Sequence, residues 1–309
     1  RFDRRSCPGS PQAGDGLSLE TMSDEPWTVG RLLTWTADWL ASKGSDSPRL
    51  DAEVLLAHVR GCQRILLYTS FDEVLADEPR SRFRELVRRR AAGEPVAYLV
   101  GSREFFSLAF AVSPAVLVPR PETEGLVVRA IDLCKAAAAP RIIDVGTGSG
   151  AIAVTLAKQL PRAMLMASDI SVEALAVARA NAERHGVAER IRFIESDLFA
   201  AGGCGGPWDL IVSNPPYVRE DECATLPRDV RDYEPRSALV AGPRGVEVIE
   251  RLAMTAAERL APEGWLLIEA GPAVAAEVES ILAAASGLQL QPTLKDLAGL
   301  PRVFQARRA

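Results

Sequence analysis

Apolar positions in the first hundred residues recur at intervals of three and four. Val29, Leu32, Leu33, Thr36 and Leu40 fall on one helical face, and Leu50, Val54, Leu55 and Val59 repeat the spacing. Ser47-Pro48 opens the second of these helices and Gly61 closes it, as proline suits a first turn and glycine a C-terminal stop. Phe83, Leu86, Val87 and Arg90 mark a further helix ending at Gly93. The pattern predicts a small helical bundle over residues 22–95. Glu94-Pro95 then breaks the run. Residues 98–118 mix Phe105, Phe106, Phe110, Val112 and Val116 with glycine and serine, which predicts a β-hairpin linker over residues 96–120.

From Pro121 the pattern changes. A helix carrying Glu124, Leu126, Val127 and Ile131 precedes a short aliphatic strand at 141–145, a glycine-rich loop and a helix at 151–160. Strand and helix then alternate: strand 163–168 with helix 172–185, strands 191–195 and 208–213, helix 246–260, strand 264–270 and helix 274–286. Such alternation implies a largely parallel sheet with right-handed crossovers. Residues 121–309 are therefore expected to form a doubly wound, Rossmann-like α/β domain. Residues 1–21, rich in glycine, proline, serine and charge without apolar periodicity, read as a disordered extension with Met22 as the start. Asp3, Asp15 and Glu20 speak against the mitochondrial presequence that Arg1, Arg4 and Arg5 suggest.

Composition narrows the classes. With 48% hydrophobic and 25% charged residues, 309 residues suffice for two folded domains. No apolar run approaches the roughly 18–20 residues of a membrane-spanning helix. A net charge of −5 argues against a broad surface for phosphate backbones, and Arg88-Arg89-Arg90 is the densest basic cluster. The five cysteines, Cys7, Cys62, Cys134, Cys204 and Cys223, are odd in number and form no CxxC pair, which suits a reducing cytosolic compartment without structural zinc. His58 and His185 stand apart from any metal-ligand spacing and read as packing residues. No Gly-x-Ser-x-Gly elbow is present.

Four constellations carry chemistry. Asp144-Val-Gly-Thr-Gly-Ser-Gly150 joins a strand to a helix; Gly146, Thr147, Gly148, Ser149 and Gly150 allow close backbone approach and present helix N-terminal N–H groups to a ligand. The spacing differs from the Gly-x-Gly-x-x-Gly of dinucleotide sites. Asp169, at the end of the next strand, is placed to hold ribose hydroxyls, and Ser171 suffices as cap of the following helix. Asp197-Leu198, after the third strand, can meet an adenine edge. Asn214-Pro215-Pro216-Tyr217 follows an apolar strand. An amide nitrogen is a poor nucleophile because its lone pair is delocalised, and two acceptors gripping its two N–H bonds would align it with an activated methyl. The Asn214 oxygen and the Pro215 carbonyl can be those acceptors, the proline pair fixes them, and Tyr217 can pack on the planar amide.

With these motifs in order, the chain resembles, from about residue 29 to residue 302, the protein-(glutamine-N5) methyltransferases that modify class 1 peptide-chain release factors. Ser47-Pro-Arg-Leu-Asp-Ala-Glu, Gly93-Glu-Pro95 with Tyr98 and Gly101, and above all Val118-Pro-Arg-Pro-Glu-Thr-Glu124 carry the resemblance, together with Asp296, Gly299 and Arg302. The resemblance implies a class I fold using S-adenosyl-L-methionine, with Gly146–Gly150, Asp169, Leu198 and Asn214 at the cofactor. It further implies a substrate glutamine in a Gly-Gly-Gln tripeptide, inserted between residues 214–217 and the aromatic linker of Phe105 and Phe106. A cytoplasmic monomer docking a release factor through its helical region is expected. Asn-Pro-Pro-Tyr alone is also found in adenine-N6 DNA and RNA methyltransferases, but here the helical region is nearly neutral and stable nucleic-acid binding is not expected. Ser107 and Ala115 stand where the family usually has glycine, and Leu198 where an aromatic is frequent, leaving apolar or backbone contact with adenine.

Overall fold

The computed structural model describes residues 26–309, so the expected extension over residues 1–21 and the start at Met22 lie outside the described residues. The helical region folds as expected, with α1 (Val29–Ser42), α2 (Pro48–Arg60), the single turn α3 (Leu66–Thr69) and α4 (Asp77–Ala91). Thr28 caps α1 through its hydroxyl, and Gly61 ends α2 in the left-handed region at φ 61. Val29, Leu33, Leu40, Leu55, Leu56, Phe83 and Val87 close the bundle core. The linker begins differently from the expected hairpin. Pro95 starts a short helix, α5 (Val96–Val100), and only then do β1 (Ser102–Phe105) and β2 (Leu108–Ala111) pair antiparallel.

The remaining chain begins with α6 (Thr123–Cys134), β3 (Arg141–Val145) and α7 (Ala151–Gln159). β4 (Met164–Asp169), α8 (Val172–Arg184), β5 (Ile191–Glu195) and β6 (Trp208–Ser213) follow. An insertion then carries β7 (Val218–Arg219), α9 (Arg228–Tyr233), α10 (Arg236–Leu239) and β8 (Val240–Gly242) before α11 (Glu247–Arg259), β9 (Leu260–Glu269) and α12 (Ala275–Ala284). The chain finishes in an antiparallel pair, β10 (Leu288–Lys295) and β11 (Pro301–Arg308), which the helix-and-strand pattern did not announce.

The seven-stranded sheet runs β10-β11-β9-β6-β3-β4-β5, parallel from β9 to β5 and antiparallel at its other edge. β3 and β6 are buried on both faces, which is why they read as continuous aliphatic runs. α6 and α7 cover one face through Leu126, Val127, Ile152 and Leu156, and α11 and α12 the other through Ile249, Leu252, Val278 and Leu282. Strand order reverses between β3 and β6, so a crevice opens beyond their carboxyl ends. Among the described residues no helix is long and apolar enough to cross a membrane.

Candidate active site

The loop leaving β3 is held from below. Asp144 is fully buried, and one carboxylate oxygen accepts from the Thr147 hydroxyl at 2.6 Å and the Ala153 N–H at 3.2 Å. Its other oxygen has no partner among the described residues, and burial pushes the carboxyl up to about 7. The N–H groups of Gly146 and Thr147 both donate to the Ser168 carbonyl, at 2.8 and 2.9 Å. Gly150 has φ 79, and a Cβ there would stand 3.1 Å from that of Ala178, so glycine lets α7 approach α8.

Asp169 spans the loop and the next turn. One oxygen accepts the Gly148 N–H at 2.8 Å, the other the Ser171 N–H at 3.0 Å. The cap of α8 is Ser171, whose hydroxyl accepts from Ala174 N–H at 3.0 Å, so Asp169 is not needed as the helix cap.

A cavity of about 380 Å³ lies over these loops. Of the residues expected at the site, it brings together Phe105, Gly146, Thr147, Gly148, Ser149, Asp169, Asp197, Leu198, Asn214, Pro215 and Pro216. Gly150, Phe106 and Tyr217 are not on its wall. Gly150 serves the helix contact just described. Phe106 sits in the hairpin turn at φ 52, its N–H donating to Glu124 at 2.9 Å and its ring tilted against that of buried Phe105, 6.4 Å between centroids. The Tyr217 ring lies close to Gly271, packs among the apolar residues beneath α11 and α12, and has its phenol pushed up by burial. The Asp197 carboxylate is paired with Arg251 at 2.7 Å, and Asp197, Leu198 and Arg251 all line the cavity.

The Asn214 side chain is held on the wall by two hydrogen bonds. Its amide nitrogen donates to Thr123 Oγ1 and to Glu269 Oε1, both at 3.2 Å. Among the described residues no donor reaches its oxygen or the Pro215 carbonyl. Glu269, 1% exposed at the end of β9, is pushed up to about 7 by burial, against the opposing pull of Thr123, Arg302 and Asn214.

Three supports had no reading in sequence: Glu269, Asn181 and Glu234. The signal for Glu269 is a lone carboxylate after Leu266-Leu267-Ile268; that for Asn181 is an amide on a helical face otherwise made of Ala174, Leu175, Ala178 and Ala182. Asn181 is fully buried, exchanges two hydrogen bonds with the backbone of Ala111 in β2, and donates a third to the Ser149 carbonyl at 2.9 Å. Glu234, in the insertion, binds Arg120, which lines the cavity.

A switch-point crevice with a glycine loop, a carboxylate at the end of the neighbouring strand and Asn-Pro-Pro-Tyr after β6 defines a class I S-adenosylmethionine-dependent methyltransferase. The family model described as PrmC N-terminal domain matches residues 31–101, and that described as Methyltransferase small domain matches residues 126–227. The chain is 50% identical over 294 residues to the release factor glutamine methyltransferase of Rhodopirellula baltica, covering 94% of this chain and 99% of that protein. It is 43% identical over 269 residues to the protein of the same name from Koribacter versatilis, covering 87% and 94%. The chain belongs to the release factor glutamine methyltransferase family. Among solved structures, the hMettl16 catalytic domain in complex with MAT2A 3′UTR hairpin 1 matches with a TM-score of 0.53 at 16% identity over 73% of this chain and 80% of that one, a likeness of fold alone.

Proposed function

We propose that this chain transfers the methyl group of S-adenosylmethionine to the side-chain amide nitrogen of the glutamine in the Gly-Gly-Gln tripeptide of class 1 release factors. When bound, S-adenosylmethionine supplies an electrophilic methyl on a positively charged sulfur. The residues present suit it: the cavity has the size of a small-molecule site, the loop from Gly146 to Ser149 offers close backbone, and Asp169 keeps lone pairs for two ribose hydroxyls. Leu198 gives adenine an apolar face, and the adjoining backbone takes its edge.

The observation that carries the reading is the orientation of Asn214. With its amide nitrogen tied to Thr123 and Glu269, its oxygen is left as an acceptor beside the Pro215 carbonyl. Two neighbouring acceptors suit a planar group with two N–H bonds, and they hold its nitrogen in one place and direction. Phe105 and Pro216 provide apolar walls for the glutamine stem. Tyr217 supports the motif from beneath.

The helical domain is read as the docking surface for the release factor. Its basic triplet is neutralised, Arg88 by Glu85, Arg89 by Glu94 and Arg90 by Asp51, which disfavours a nucleic-acid partner. We read the chain as a cytoplasmic monomer. Methyl transfer from labelled cofactor to an intact release factor, to its Gln→Ala variant at the tripeptide and to duplex DNA tests the proposal. Label is expected on the first alone. Label on DNA, or undiminished label on the Gln→Ala factor, would overturn it.

A further inference from the structure

We propose that Glu269 is a positioning residue for methyl transfer: its carboxylate, acting with Thr123, fixes which end of the Asn214 amide faces the cavity. The inference rests on the role given to Asn214 above. An asparagine side chain is nearly symmetrical in shape, and half a turn about its last bond exchanges oxygen for NH2. Only one of the two orientations accepts a substrate N–H; the other presents N–H to N–H.

Thr123 by itself does not decide between them, because a hydroxyl donates as readily as it accepts. An ionised carboxylate decides, since it only accepts. Glu269 Oε1 takes an Asn214 N–H at 3.2 Å and Thr123 Oγ1 takes one at the same distance, so both partners act as acceptors towards the amide nitrogen. Reversing Asn214 would set its oxygen against the carboxylate. The residue is also expensive to keep. It is 1% exposed, it follows three aliphatic residues of β9, and its Oε2 has no partner among the described residues. Packing gives no reason for a carboxylate here, whereas orientation of Asn214 does.

The charged surroundings come from three directions. Arg302 of β11, held by Asp296 at 3.2 Å, favours the ionised form, and Glu122 before α6 opposes it. The Tyr217 phenol, after β6, also lies within the field of Glu269, with Arg120 and Arg302 acting on it in the opposite sense. Burial outweighs the rest and holds Glu269 near 7. Below that value a protonated carboxyl can donate to a reversed Asn214. Above it the carboxylate enforces the productive orientation, so activity rises with pH through about 7.

The test compares the wild-type chain with Glu269→Gln and Thr123→Val from about pH 5 to about pH 9, measuring kcat/KM on release factor and cofactor binding by calorimetry. Wild type should show an acid limb near 7. Glu269→Gln should lose roughly 10–100-fold in kcat with cofactor affinity within about 3-fold, and should lose that limb. Thr123→Val should lose about 10-fold and keep the limb, and Thr123→Ser should restore the rate. Wild-type kcat in Glu269→Gln, an unmoved limb, or cofactor affinity falling in step with kcat overturns the inference. One readout needs no methyl acceptor: the Asn214 side-chain amide signal in heteronuclear NMR should titrate near 7 in wild type and be flat in Glu269→Gln. A flat wild-type signal overturns the inference. An intact titration without methylation of release factor supports it and counts against the proposed substrate instead.

Discussion

Asp169 and Gly148 are joined by a carboxylate-to-backbone hydrogen bond of 2.8 Å that ties the end of β4 to the middle of the glycine loop. The same carboxylate accepts the Ser171 N–H at 3.0 Å, so it sets the loop while lining the cavity. Asp169→Ala should therefore weaken cofactor binding by about 1.5–3 kcal/mol, the range for hydrogen bonds to a charged group. Calorimetric titration with S-adenosylmethionine checks this, and an unchanged dissociation constant removes Asp169 from the site.

Asn214→Ala should show the opposite profile. On the proposed function the contact it removes orients the acceptor nitrogen, so turnover should fall by about 100-fold or more while cofactor affinity stays within a few-fold. Single-turnover rates beside cofactor binding separate the two. Parallel losses would mean that Asn214 chiefly shapes the cofactor pocket.

Asn181→Ala should destabilise the fold by about 2–4 kcal/mol, because the Ala111 N–H and carbonyl and the Ser149 carbonyl all lose their partner. Urea unfolding gives the number. A loss below about 0.5 kcal/mol would mean that water replaces the amide without difficulty.

Ser107→Gly should stabilise. Phe106 and Ser107 form a two-residue hairpin turn with φ 52 and 59, a left-handed pair that glycine adopts more readily than serine. The expected gain is about 0.5–1 kcal/mol in denaturant unfolding. A loss of stability would show that the serine side chain, rather than the turn geometry, governs this position.

Asp144 carries a pH signature. Its carboxyl, near 3.8 when unfolded, is pushed up to about 7 in the fold, so its contribution to stability is present in acid and is lost as pH rises through that window. Asp144→Asn cannot titrate, and its stability relative to wild type should climb from about pH 4 to about pH 7 and then level off. Unfolding of both proteins across that range decides the matter, and parallel curves would place the Asp144 pKa at its ordinary value.

The parts of the fold that were legible in sequence are those where burial on both faces dictates composition. β3 and β6 begin and end where their aliphatic runs predict, and Gly61 and Ser171 act as the helix stop and cap their residue types predict. The antiparallel edge was illegible for the converse reason: β10 is half exposed and carries Pro292 on an outer strand, so no apolar run marks it. The insertion of residues 218–242 consists of pieces too short for any period, held by contacts between distant residues such as Arg120 with Glu234. At the site, residue type and spacing placed the glycine loop, Asp169 and Asn214 at one cavity. They carried no information on direction, and Phe106 and Tyr217 are not among the residues that line that cavity.

That insertion also reaches the helical domain. The Tyr233 hydroxyl donates to the Ala92 carbonyl at 3.2 Å, and Asp229 stands 3.7 Å from Arg90, while Glu234, the next residue after Tyr233, holds Arg120 at the cavity. Residues 218–242 therefore behave as a shared part, belonging by sequence to one domain and by contact to both. In a chimaera that exchanges only the helical domain with a relative, the graft would end at a seam running between Ala92 and Tyr233. The unit that moves intact is the helical domain together with residues 218–242, so modularity in this chain follows the path of its contacts, not the order of its residues.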